Sequence, residues 1–338
     1  MSGYDAARTS AVVADRSGEA RLRVTGADRA TWLQGLLTND VLALAPGQGC
    51  YAAYLTPQGR MISDMRVLAL ADAMWLDVPA VARETVLERF ETFIITEDVQ
   101  VEDVTAATAR LALHGPAAGR VLAQALSGTA GVEAVADLDE HQHVRLESGG
   151  TWLLVAGARD LGVRGYDLYM EAGRLDEVQA RLVKAGAQEI DAAVWDTLRI
   201  EAGRPVFGID MDMDTIPLEA GIEGRAISQT KGCYVGQEIV IRILHRGGGR
   251  VAKRLVGLVV DPSAVQPPVP QAGTTLRQET REIGRVTSAT WSPALERIVA
   301  LGYVHRDAAS EGTIVTIEGE PALQARVTAV PFVQGARG

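Results

Sequence analysis

The stretch Asp196-Thr197-Leu198-Arg199-Ile200-Glu201-Ala202-Gly203-Arg204-Pro205 closes a helix that begins near Ala192 and is broken by Gly203 and Pro205. Val194, Leu198 and Glu201 fall at i, i+4 and i+7, so a carboxylate lies in line with an apolar stripe. Such a group is costly to bury unless it is paired or hydrogen-bonded. One reading is a salt bridge at a domain seam, with Arg199 or Arg204 as partner. The other is a carboxylate that receives a ligand, because an ionised Glu accepts two parallel hydrogen bonds from the N–H and NH2 donors of a pterin or guanine edge. Position leaves both open.

Downstream, Lys231-Gly232-Cys233-Tyr234-Val235-Gly236-Gln237-Glu238 frames a thiol between two glycines, ahead of a helical run from Gln237 to Leu244. A helix N-terminus and Lys231 would both favour thiolate, and a thiolate serves as nucleophile, redox sensor or soft-metal ligand. The alternative is a small hydrophobe packed in a tight loop. Cys50, beside an apparent strand, reads as core. Asp210, Asp212 and Asp214 alternate, but an EF-hand would need glycine and glutamate where Thr215 and Gly221 stand, so they read as a solvated loop.

The chain has 338 residues, enough for two or three domains. Its net charge of −10, from 33 basic and 43 acidic side chains, argues against duplex nucleic acid as a main partner. A local basic patch at Arg242, His245, Arg246, Arg250, Lys253 and Arg254 suits a small anion or a solvated face equally. No apolar run is long enough to span a bilayer, and Met1 to Ala20 has no apolar signal core; the expected setting is cytoplasmic, away from membranes. Two cysteines and five scattered histidines predict no structural metal.

Strand-like and helical runs alternate through the first 250 residues. Tyr51 to Leu55 and Met65 to Leu70 flank a turn at Pro57-Gln58-Gly59, and two halves of similar content suggest an internal α+β duplication. Four prolines between Pro262 and Pro270 mark a loop. The short β runs around it, starting with Leu255 to Val260, predict a small β-barrel.

At this point the residues resemble a known family. Asp196 to Pro205 is similar to the glycine-cleavage T-protein segment with its folate-binding glutamate, and Pro217-Leu218-Glu219-Ala220-Gly221 follows in order. Thr38-Asn39-Asp40-Val41 and Thr287-Ser288-Ala289 also fit, and Lys231 to Glu238 resembles the signature of that family's YgfZ branch. The resemblance implies an α+β, three-domain T-protein-like fold. Two α+β lobes would occupy 1–250 (approximately 1–110 with 190–250, and 111–189), with a C-terminal β-barrel over 251–338. It further implies tetrahydrofolate as cofactor, held by Glu201, Asn39, Tyr234 and Arg242, with chemistry at Cys233, Lys231 and Asp64. The branch is associated with iron–sulfur cluster assembly or repair, so iron–sulfur client or assembly proteins are the implied partners. The alternative is a tetrahydrofolate-dependent aminomethyltransferase or demethylase of the T-protein type, and whether the chain is an enzyme stays open. One departure bears on this. T-proteins carry consecutive aspartates where this chain has Ser63-Asp64, which places Ser63 at the catalytic position. On a strand, Ser63 and Asp64 would face opposite ways.

Overall fold

The computed structural model describes residues 2–136, 138–148, 150–246, 248–262 and 267–333. Apolar alternation in Gly49–Leu55, Met61–Ala69 and Met74–Val78 builds an antiparallel meander, and Ala20–Thr25 and Gln100–Asp103 extend it to five strands. The second sheet repeats this plan. His143–Ser148, Thr151–Ala158 and Gly165–Glu171 form its meander, followed in space by Thr108–His114. In both sheets a helix separates one strand from the meander (Arg29–Leu36 after Ala20–Thr25, Ala118–Ala125 after Thr108–His114), and a second helix follows the meander (Arg83–Thr92, Leu175–Lys184). The duplication is therefore one of strand order and helix placement.

The two halves differ at one position. Val12–Asp15, from the N-terminal segment, enters the second sheet between Thr108–His114 and Gln188–Glu189. The expected first lobe of 1–110 thus loses its start to its neighbour. The reason is physical: Val12 and Val13 are buried and complete the second sheet's hydrogen-bond ladder.

Helices cover the outer faces, and the inner faces meet. Leu68 and Trp75 of the first sheet pack on Leu154, Ala156 and Tyr169 of the second. The third unit is a closed six-stranded barrel: Lys253–Val260, Arg297–His305, Arg281–Ser292, Thr275–Gln278, Ile314–Ile317 and Leu323–Thr328. Its short strand Thr275–Gln278 was not legible in the β runs, and closing the ring without it would leave two unpaired edges. No helix among the described residues is long and apolar enough to cross a membrane.

The helix Ala192–Glu201, N-capped by the Asp191 side chain on the Val194 amide, joins the units. Arg199 pairs with Asp210 at 2.7 Å, and Asp210 accepts from the Thr287 and Ser288 hydroxyls of the barrel. Asp210 is buried, so the solvated-loop reading fails for it: four donors satisfy its charge at the seam. Glu201 is fully buried and forms a second clasp. Its carboxylate accepts from Tyr4 at 2.8 and 2.9 Å, from Ser292 of the barrel, and from Arg8 in an ion pair. Tyr4 and Arg8 sit on a short N-terminal helix, Gly3–Thr9, closed by a Ser2–Asp5 capping box. Removing a partner from a buried ionic network leaves the others unsatisfied. Glu201→Ala should therefore cost about 3 kcal/mol of stability, and Ser292→Ala about 1 kcal/mol. Urea unfolding followed by tryptophan fluorescence checks this; an unchanged midpoint for Glu201→Ala would refute the clasp.

Candidate functional site

A cavity of about 380 Å³ opens between the inner faces of the two sheets, under the Ala192–Glu201 helix and the 204–209 loop. Strand alternation decides what it sees. On Met61–Ala69, Asp64, Arg66 and Leu68 share the face turned to the second sheet, whereas Ser63 belongs with Met61, Met65 and Val67 on the helix-backed face. Ser63 is fully buried and its hydroxyl donates to the Asp64 carbonyl at 2.7 Å. The residue that reaches the cavity is therefore Asp64, not the one that the family pattern placed in the catalytic position.

Asp64 accepts a hydrogen bond of 2.5 Å from Tyr51, which stands on the neighbouring strand and also lines the cavity. Burial pushes the Asp64 carboxyl up to about 6, against the pull of the Tyr51 hydroxyl. The Arg225 guanidinium lies 4.8 Å over the Tyr51 ring. Arg225 also faces Glu140 at 3.3 Å, with Arg204 on the same carboxylate oxygen at 4.0 Å.

Charges from both sheets make the floor. Arg66 pairs with Asp167, and Arg110 grips the same carboxylate at 2.9 and 3.0 Å. Both guanidiniums reach Asp160, at 3.3 and 3.2 Å. Burial alone would raise the Asp167 and Asp160 carboxyls, but the two arginines overcome it and hold both below the usual range. Asp77 differs: burial outweighs Arg110 and Arg66, and its carboxyl is pushed up. Its Oδ2 accepts from the Tyr169 hydroxyl, while its Oδ1 is buried with no hydrogen-bond partner among the described residues. Trp195 supplies an apolar wall, with the Arg16 guanidinium stacked 4.8 Å from the ring.

Of the residues expected to bind the cofactor or carry the chemistry, Asp64 alone lines this cavity; Arg199 and Arg204, named in the sequence as partners for Glu201, line it as well. Glu201 does not, and its acceptor positions are taken by Tyr4, Arg8 and Ser292. Lys231 donates to three carbonyls (Gln34 at 2.7, Leu37 at 2.5, Asn39 at 3.0 Å) and so finishes the Arg29–Leu36 helix with a cation. Its ammonium is committed to these carbonyls, and burial lowers it to about 8. Tyr234 is buried in the first-sheet core, its ring 5.0 Å from the Lys231 ammonium. Asn39 donates to Tyr51 and Arg225 carbonyls and so braces the wall from behind. Arg242 is exposed and pairs with Glu238 at 2.8 Å. Cys233 is exposed on its loop, which removes the reading of a packed thiol. The expected Gln237–Leu244 helix is α-helical over Gln237–Ile241 and continues as a π-turn.

Sequence reading missed Tyr51, Arg66, Asp77, Arg110, His141 and Asp160 as cavity residues. A signal existed for the charged strand residues: Arg66, Asp77 and Arg110 interrupt otherwise apolar runs, as Glu201 does.

Known proteins match this architecture along the whole chain. Residues 2–231 match the GCVT N-terminal domain, and residues 253–334 match the Glycine cleavage T-protein C-terminal barrel domain. An aminomethyltransferase of Rubrobacter xylanophilus is 32% identical over 336 residues, covering 99% of this chain and 86% of that protein. A putative chloroplastic transferase of Arabidopsis thaliana is 30% identical and covers 97% of this chain and 73% of its own length. Among solved structures, the glycine cleavage system aminomethyltransferase T from Bartonella henselae superposes with a TM-score of 0.87 at 25% identity, covering 98% of this chain and 89% of that one. With both domains matched, in order and on the fold described above, this chain belongs to the glycine-cleavage T-protein family.

Proposed function

We propose that the chain binds tetrahydrofolate between its two sheets and acts as a T-protein-type one-carbon transferase, with Asp64 as its acid–base residue. The observation that carries this reading is a buried carboxyl, tuned to about 6, on the wall of a cavity in a T-protein fold. The cavity's chemistry suits a folate. The free Oδ1 of Asp77 offers an acceptor for pterin N–H groups, Trp195 offers an apolar wall, and Arg204 and Arg225 offer cations to the acidic tail. Bound tetrahydrofolate would supply the nitrogen that accepts the one-carbon unit. Asp64, held in place by Tyr51, would set its charge beside the reacting amine and take or return a proton at its carboxylate oxygen.

The sign of the pH dependence follows. Asp64 is ionised above about pH 6 and neutral below it. Transfer from an aminomethylated carrier protein should hold at neutral pH and fall away as pH drops through 6. Asp64→Asn should lose about a hundredfold in kcat and with it this acidic limb. Wild-type protein that binds tetrahydrofolate tightly yet never turns over would remove the transferase assignment; absence of binding would remove the folate as well.

A second reading has its own support. Cys233 is an exposed, free thiol in the YgfZ-like octapeptide, outside the cavity lining. It fits a folate-binding accessory factor for iron–sulfur cluster assembly or repair, acting on client proteins in the cytoplasm. Under this reading Cys233→Ala abolishes rescue of iron–sulfur enzyme activity in a deletion strain while the protein stays folded. Full rescue by that variant would end it.

A further inference from the structure

His141 is held in the cavity wall in a backbone conformation that side chains other than glycine rarely adopt, with φ at +70°. Its surroundings enforce this. The His141 amide donates to the Gly157 carbonyl at 2.9 Å, and its own carbonyl is met by the His143 ring at 3.3 Å. That carbonyl also sits where Gly49 carries no side chain; a Cβ at Gly49 would come within 2.8 Å of it. Strain at a β-carbon-bearing residue persists only where the surroundings over-determine it, and such positions cluster at ligand sites.

The side chain has an unmet need. Its Nδ1 is buried and has no hydrogen-bond partner among the described residues, although the residue borders the cavity. Its Nε2 faces the Glu140 carboxylate at 4.0 Å, and that carboxylate is in turn held by Arg225. A carboxylate on this side favours the tautomer protonated at Nε2, which leaves Nδ1 as an acceptor. Burial first, then Arg66, pulls the imidazole down to about 3, so the ring is neutral across the physiological range. Two residues of the cavity lining thus each hold a buried acceptor atom without a donor among the described residues, His141 Nδ1 and Asp77 Oδ1.

Building on the folate reading, we propose that His141 is a ligand-recognition residue whose Nδ1 accepts a hydrogen bond from a ring N–H of the bound reduced folate. Nothing in the Asp64 chemistry requires it; its part is affinity and choice of ring.

The test uses the full chain and 5-formyltetrahydrofolate, a stable reduced folate that keeps its pterin N–H donors. His141→Gly removes the ring and relieves the positive-φ strain, so the variant should fold at least as well as wild type. Calorimetric titration should show its affinity about tenfold weaker. In 15N-histidine-labelled wild type, ligand addition should move the His141 Nδ1 resonance, assigned by its loss in the variant. A variant that binds within twofold of wild type overturns the proposal, and so does weakened binding without a shift of that nitrogen, which would make His141 a structural residue. Wild type that fails to bind would instead bring down the folate reading on which the proposal rests.

Discussion

The Arg66–Asp167–Arg110 cluster is the interaction on which this molecule's shape depends. Two guanidiniums, one from each sheet, converge on one fully buried carboxylate, with Asp160 and Asp77 at their flanks. Ions taken from water must be compensated nearly in full by their partners. Here both sheets supply charge to a shared centre, and neither could bury its half alone. The cluster also explains why the inner faces close at one end only. Beside it, Leu68, Trp75, Leu154, Ala156 and Tyr169 make ordinary apolar contact. Where the charged side chains stand, the sheets cannot pack dry, and that polar end becomes the cavity floor.

The Ala192–Glu201 helix then roofs the opening. Trp195 and Arg199, one turn apart, contribute to the cavity lining. Arg199 also runs back to Asp210, Thr197 meets Thr290 of the barrel at 2.9 Å, and Glu201 gathers the N-terminal helix and Ser292. One ten-residue helix thus fixes the barrel, the N-terminal segment and the roof in a single frame. Loosening Glu201 would reach the site only through that frame, whereas altering Asp64 acts inside it.

This division explains what the sequence made legible. Helices with strong stripes, strands around an evident turn, and evenly spaced β runs could be read because local pattern decides them. So could the anomaly of Glu201, a carboxylate in an apolar row. What could not be read was direction: the same anomaly serves a ligand or a clasp, and only tertiary placement tells which. The partners lie 193 and 197 residues away at Arg8 and Tyr4, and no spacing rule connects them. The Ser2–Asp5 capping box was a legible local signal that would have placed a helix there. The cavity residues were harder, because Arg66, Asp77 and Arg110 come from three strands whose adjacency is a property of the sheets. Ser63 shows the same limit in miniature. The family pattern pointed to two adjacent positions, and the pleat of the strand decided which of the two faces the cavity.

The octapeptide around Cys233 is tied to this site through backbone and not through its thiol. Gly236 adopts φ +84°, and a Cβ there would lie 2.5 Å from the Thr56 carbonyl and 3.3 Å from Gly59. Gly59, at φ +74°, is equally closed by Ile239. These two glycines let the loop seat directly on the hairpin turn between the strands that carry Tyr51 and Asp64. Lys231 meanwhile staples the helix behind them by filling three carbonyls. Much of the motif is therefore accounted for by packing: lysine, tyrosine and glycine hold the wall in register. Cys233 is the member that packing does not explain, since it is exposed and its thiol is free. An exposed thiol in an otherwise fitted loop faces what approaches the protein from outside, while the cavity faces what enters it.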